Sequence, residues 1–133
     1  MIFDGKKLAE EIKQSLRNRI ETYTELYHRR PCLNVMLVGD DYGSQRYVSN
    51  CEKQTALVGM DCRVVRLPQE STEDEVLTQL NILNHDNNVD GILIQMPLPK
   101  HINTEHVVEA ILPDKDVDGV TNTNVANLWK QKT

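Results

Sequence analysis

The sequence predicts an α/β fold: a parallel sheet with helices on both faces, in three layers. Three observations point to it. Short apolar runs alternate with longer stretches of helical period. Glycine or proline closes the helices and strands at the places where the pattern changes. At 133 residues the chain suits one domain with one sizeable core, so residues 1–133 are read as a single unit.

The elements follow in order. From Lys6 to His28, apolar residues recur at Leu8, Ile12, Leu16, Ile20, Tyr23 and Tyr27, the steps of three and four that make one helical face. Asp4-Gly5 is a plausible start, and Pro31 a stop. Leu33 to Val38 is short, apolar and followed by glycine, as a buried strand should be. Ser44 to Val58 reads as the second helix, with Gly59 in the C-cap position. Cys62 to Leu67 is a second strand. Ser71-Thr72-Glu73-Asp74-Glu75 then opens a helix with acids in its first turn, and that helix runs to about His85. Gly91 to Gln95 is a third strand, stopped by Pro97 and Pro99. Thr104 to Ile111 is a short helix, 114–124 is polar and irregular, and 124–130 is one more helical stretch.

Composition narrows the function. A formal charge of -5 argues against non-specific nucleic-acid binding, which needs clustered Lys and Arg. No apolar run approaches membrane length, and the charged opening is unlike a signal peptide. Cys32, Cys51 and Cys62 are too few and scattered for a disulfide framework, so a reducing cytoplasm is expected. His28, His85, His101 and His106 lack the spacing of a metal site. There is no GxGxxG, and the Gly39–Gly43 turn carries two aspartates that would repel phosphate.

In a parallel sheet, ligands sit beyond the carboxyl ends of the strands. Three polar segments are expected there: the turn after Val38, Gln95 to Pro99, and Lys115 to Gly119. Tyr47 and Cys51 are four apart and share a helix face. Lys53, six residues from Tyr47, is rotated about 240° away. Each candidate also has a plainer reading. Tyr47 suits a half-buried core residue with a wet hydroxyl. Gln95 suits a loop pin, the two aspartates of 115–119 an Asx-turn, and Cys51 a buried inert thiol.

"SQRYV", "GILIQMPLP", "DKDVDG" and the opening "DGKKLAEEIK", taken in this order, closely resemble the bifunctional methylenetetrahydrofolate dehydrogenase/methenyltetrahydrofolate cyclohydrolase family, from Phe3 to about Leu128. The resemblance implies a folate-binding catalytic domain of one-carbon metabolism. The family oxidises methylenetetrahydrofolate with NAD or NADP and hydrolyses the methenyl product. By position, Tyr47 would stack on the folate ring system, Gln95 would tune the catalytic group on the same helix, and Asp118 would hold the pterin edge. Ser44 and the Pro97-Leu98-Pro99 turn would shape the wall.

Two departures from the family pattern matter. The family motif is Tyr-Val-x-x-Lys, and its lysine is the principal catalytic residue; here that place is Cys51. The family also continues into a Rossmann domain for the nicotinamide cofactor, with a glycine-rich loop that this sequence lacks. The chain therefore reads as truncated before the NAD(P) domain, with no cofactor expected bound to it. Weak or no activity is expected. The implied partners are a folate-type small molecule and a homologous or cofactor-domain chain. A non-catalytic folate-binding or interaction module, or half of a split enzyme, is the alternative.

Overall fold

The computed structural model describes residues 5–119 and 121. Three parallel strands form the sheet, β1 (Cys32–Val38), β2 (Asp61–Leu67) and β3 (Gly91–Ile94), in the spatial order β2-β1-β3. The register runs from Cys32 opposite Asp61 to Val38 opposite Leu67 on one side. On the other side it runs from Leu33 opposite Gly91 to Met36 opposite Ile94. The helices are α1 (Gly5–Tyr27), α2 (Tyr42–Val58), α3 (Glu73–Asn84) and α4 (Thr104–Glu109), followed by a short 3-10 turn at Pro113–Lys115.

The two faces of β1 explain the three layers. Side chains alternate along a strand. Val35 and Leu37 point to one side and pack with Val48 of α2. Met36 and Val38 point to the other and join Val76, Leu80 and Leu83 of α3 and Val107 of α4. Being buried on both sides, β1 reads as a continuous apolar run broken only by Asn34.

Most helix ends follow local chemistry. The Thr72 side chain accepts the Glu75 N–H at the start of α3, and Asn103 does the same for His106 at the start of α4. Gly59 ends α2 with φ at 90°, its N–H bonded back to Ala56 and Thr55 carbonyls, which only glycine does without strain. α1 ends before Pro31: the chain turns at His28, whose φ is 58°. α2 starts at Tyr42, two residues ahead of the sequence expectation, because Asp41 supplies the cap. α4 stops at Glu109 rather than Ile111. The segment expected to be irregular contains order: Asp116 makes a parallel bridge to Ile92, extending the sheet past β3.

The apolar face of α1 differs from a core face. Ile20 is buried, but Leu8, Ile12, Leu16 and Tyr27 are each 40% exposed or more. Its anchoring contacts come from the C-terminal half: Arg17 Nε donates to the Leu57 carbonyl at 2.9 Å, and the Tyr23 hydroxyl to Asp90 at 3.2 Å. The helical stretch expected at 124–130, with Trp129, lies outside the described residues. No helix among the described residues is long and apolar enough to cross a membrane.

Candidate functional site

The carboxyl ends of β1 and β3 carry the turns that build the site. Gly39 leaves β1 with φ at 99°, and its N–H bonds the Leu67 carbonyl at the end of β2. A Cβ at Gly39 would run into the Gln69 side chain. Past β3, the Gln95 N–H still bonds the Met36 carbonyl at 2.9 Å, and the next peptide, Met96-Pro97, is cis.

A short polar chain joins these turns. The Asp41 carboxylate accepts the Ser44 N–H at 2.9 Å and stands 3.0 Å from the Ser44 hydroxyl. That hydroxyl also lies 3.3 Å from the Met96 carbonyl, which accepts the Gln95 side-chain amide at 3.0 Å. Ser44 is 3% exposed, so its hydroxyl is committed to this bridge rather than to solvent. The Ser44 N–H, and then its hydroxyl, hold the Asp41 carboxyl below the usual carboxylate range. The start of α2 is thereby fastened to the turn after β3.

Two cavities flank this bridge. A wide cleft of about 560 Å³ lies among Val38, Asp40, Asp41, Gln69, Pro97 to Pro99, Lys100 and His101. A small recess of about 70 Å³ lies among Ile92, Ile94, Met96, Val108, Ile111, Asp116 and Asp118. Partial burial pushes the Asp118 carboxyl above the usual range, and the Asp116 charge adds to it. The Asp116 carboxylate accepts the Thr121 N–H at 2.9 Å, a bond across five residues and so longer in span than an Asx-turn.

The predicted residues fall into three groups. Ser44, Gln95 and Pro97 are brought together through the Met96 carbonyl, and Asp118 joins them across the recess at Met96. Leu98 and Pro99 are buried, Leu98 within the α3–α4 core, so they set the shape of the turn from beneath. Tyr47 and Cys51 sit on α2 beyond Ser44 and line neither cavity. Tyr47 is 60% exposed, against its plainer reading as a half-buried core residue. Cys51 is partly buried against Val35, Leu37 and Val48. Lys53 lies with Tyr42, Arg46 and Asn50 on another face of α2, as its spacing requires.

Gln69 and His101 were missed by the sequence reading, and Asp41, though inside the turn expected at the site, was not singled out. For Asp41 a signal existed: an aspartate three residues ahead of Ser44 at a helix start is an N-cap pattern. Gln69 and His101 reach the cleft through tertiary placement, His101 through its ring contact with the Ser71 carbonyl at 2.8 Å. Among the described residues no group of three His, Cys, Asp or Glu could hold a metal ion.

Residues 3–118 match the family model for the tetrahydrofolate dehydrogenase/cyclohydrolase catalytic domain. This chain belongs to that family. It is 44% identical over 128 residues to the bifunctional protein FolD of Staphylococcus aureus, covering 96% of this chain and 44% of that protein. Against FolD of Sulfurihydrogenibium the identity is 45%, with 96% and 45% covered. The bifunctional FolD methylenetetrahydrofolate dehydrogenase/cyclohydrolase of Campylobacter jejuni superposes with a TM-score of 0.89 at 40% identity, over 94% of this chain and 44% of that one. The FolD of Trypanosoma brucei, solved with NADP cofactor and inhibitor, gives 0.90 at 29% identity, over 100% and 45%. The chain thus spans under half the length of these tetrahydrofolate dehydrogenase/cyclohydrolase relatives. The three-layer parallel α/β architecture is shared with them.

Proposed function

We propose that this chain is a reduced-folate-binding domain of the dehydrogenase/cyclohydrolase type, with little or no turnover of its own. The observation that carries the reading is the residue one turn after Tyr47. Where the family motif has lysine, α2 presents Cys51, a short thiol lodged against Val35 and Leu37. It carries no cationic arm to assist water attack or proton transfer. Loss of a positioned acid/base group costs about 10²–10⁴-fold in rate.

The rest of the arrangement supports folate binding. The exposed Tyr47 ring offers an apolar face to a flat heterocycle. The Asp118 carboxylate is suited to the donor nitrogens of a pterin edge. The Gln95 amide N–H is spent on the Met96 carbonyl, leaving its side-chain oxygen able to accept from a ligand. The residues present do not fit a nicotinamide cofactor. The turn after β1 holds Asp40 and Asp41 where a dinucleotide loop needs glycines and bare N–H groups.

Two measurements test the reading together. One is loss of the 5,10-methenyltetrahydrofolate absorbance above the buffer rate; the other is calorimetric titration with tetrahydrofolate. Binding that weakens in Tyr47→Ala, with hydrolysis near the buffer rate, is the expected result. Hydrolysis well above buffer would overturn the claim of lost turnover. A folded chain that binds no folate would overturn the whole reading.

A further inference from the structure

A second pair of groups lies away from the turns that build the site. Cys51 projects from α2 and Cys62 from β2, the edge strand beneath that helix. Both side chains pack against the same cluster of Val35, Leu37 and Val48. They lie near enough across this seam for the Cys51 sulfur to act electrostatically on the Cys62 thiol. Both cysteines are partly open to solvent, whereas Cys32 is only 2% exposed. Two partly exposed thiols that share one helix–strand seam and one apolar cluster differ from a lone buried thiol.

We propose that Cys51 and Cys62 form an oxidisable dithiol, a modification site that a disulfide of the glutathione class closes to a Cys51–Cys62 disulfide. In the first step the Cys51 sulfur attacks one sulfur of glutathione disulfide. The S–S bond of the oxidant breaks, and one glutathione leaves and takes up a proton. In the second step the Cys62 sulfur attacks the Cys51 sulfur of the mixed disulfide, and the second glutathione leaves as its thiol. Two protein thiols are oxidised by two electrons, and one glutathione disulfide is reduced to two thiols.

The order of attack follows from the surroundings. Burial pushes the Cys62 thiol up to about 11, with the neighbouring Cys51 adding. Cys62 therefore holds its proton at neutral pH and acts as the resolving group. Closure is slow near pH 7 and quickens as pH rises toward that value. The bond would clamp the middle of α2 to the edge strand. It would also withdraw position 51 from any cleft chemistry. This inference stands apart from the folate reading, because it concerns only the two thiols.

The experiment is incubation of the full chain with glutathione disulfide, acid quench, alkylation, and intact and peptide mass spectrometry. The expected product lacks two hydrogens, links the peptides of Cys51 and Cys62, and leaves Cys32 free for alkylation after unfolding. Its rate of closure should rise about tenfold per pH unit between roughly pH 7 and 9. Cys62→Ser should convert it to a lasting glutathione adduct on Cys51; if that variant fails to fold, Cys51→Ala, which should show no loss of hydrogens, takes its place. An adduct on Cys51 that persists at about pH 9 with Cys62 present, a bond through Cys32, or no oxidation where a small dithiol is oxidised would each overturn the proposal.

Discussion

Arg29 and Asp90 meet in a two-pronged ion pair, each guanidinium nitrogen 2.8 Å from one carboxylate oxygen. The same carboxylate accepts the Cys32 N–H at 2.8 Å and the Tyr23 hydroxyl at 3.2 Å. One side chain thus ties α1, the first residue of β1 and the entry to β3 at the amino end of the sheet. About a third of each partner is open to water, so solvent screening trims the electrostatic share. Asp90→Ala should cost on the order of 1–2 kcal/mol, mostly through the unmet Cys32 N–H and the lost charged bonds. The Arg29 bonds, against the opposing cost of burial, hold the Asp90 carboxyl below the usual range. Its contribution is therefore present in full above the ordinary carboxylate value of about 4 and is lost as pH falls through the lower folded value. Urea melts at successive pH values should show the gap between wild type and Asp90→Ala closing only at the acid end.

Leu80 is 0% exposed among Met36, Val76 and Ile92, whereas Ile82 on the same helix is 55% exposed. Leu80→Ala should cost about 2–5 kcal/mol, because transfer and cavity terms add. Ile82→Ala should stay within about 0.5 kcal/mol. Chemical denaturation of the pair measures the contrast with helix propensity and location held nearly constant.

Asp41 and Ser44 act on the same turn, so their removal should not add. Asp41→Ala deprives the Ser44 N–H of its cap, and Ser44→Ala removes the hydroxyl between Asp41 and Met96. Each should lower the thermal midpoint and weaken tetrahydrofolate binding. The double variant should lose clearly less than the sum of the two. Strict additivity, read by scanning calorimetry and titration, would dissolve the bridge as a functional unit.

Cys51→Lys should raise methenyltetrahydrofolate hydrolysis at least about tenfold, regaining part of the 10²–10⁴-fold expected of a positioned acid/base group. The long arm can leave the Val35–Leu37 surface by keeping its methylenes on it and its ammonium in water. The initial rate of absorbance loss is the readout. No gain in a variant that still folds and binds folate would separate position 51 from the chemistry.

Asp118 gives a pH signature. Its carboxyl is pushed up, so the free protein takes its proton at higher pH than an ordinary aspartate does. If the ionised form holds the pterin edge, folate affinity should fall on acidification through a value above about 4, sooner than for an exposed carboxylate. Asp118→Asn should bind weakly and without that pH dependence. Titrations at several pH values decide it.

The type and order of the elements were legible because each short apolar run is buried on two sides or closed by a turn, as with β1 and β3. Boundaries were less so. α2 begins two residues early because Asp41 caps it, and α4 is shorter than its apolar pattern suggests. The bridge at Asp116 was invisible, since one parallel contact leaves no periodicity behind. Among the candidate residues, Gln95 was singled out from its place at a strand end, whereas Ser44 came in only through the family resemblance. His101 and Gln69 were not found, because the sequence separation between them conceals a closeness that only the folded loops create. α1 was the plainest mismatch: its 3.6-residue rhythm is intact, yet rhythm names a face without naming what meets it.

That mismatch leaves α1 with two unequal halves. Beyond Ile20 the helix is held by the Tyr23 hydroxyl and the Arg29–Asp90 pair; before Leu16 its apolar side chains face water. Backbone amides in the first turns should exchange with deuterated solvent through shallow local openings, while those near Ile20 wait for a deeper opening event. The helix is thus continuous in hydrogen bonding but divided in lifetime, with the dividing line close to Arg17.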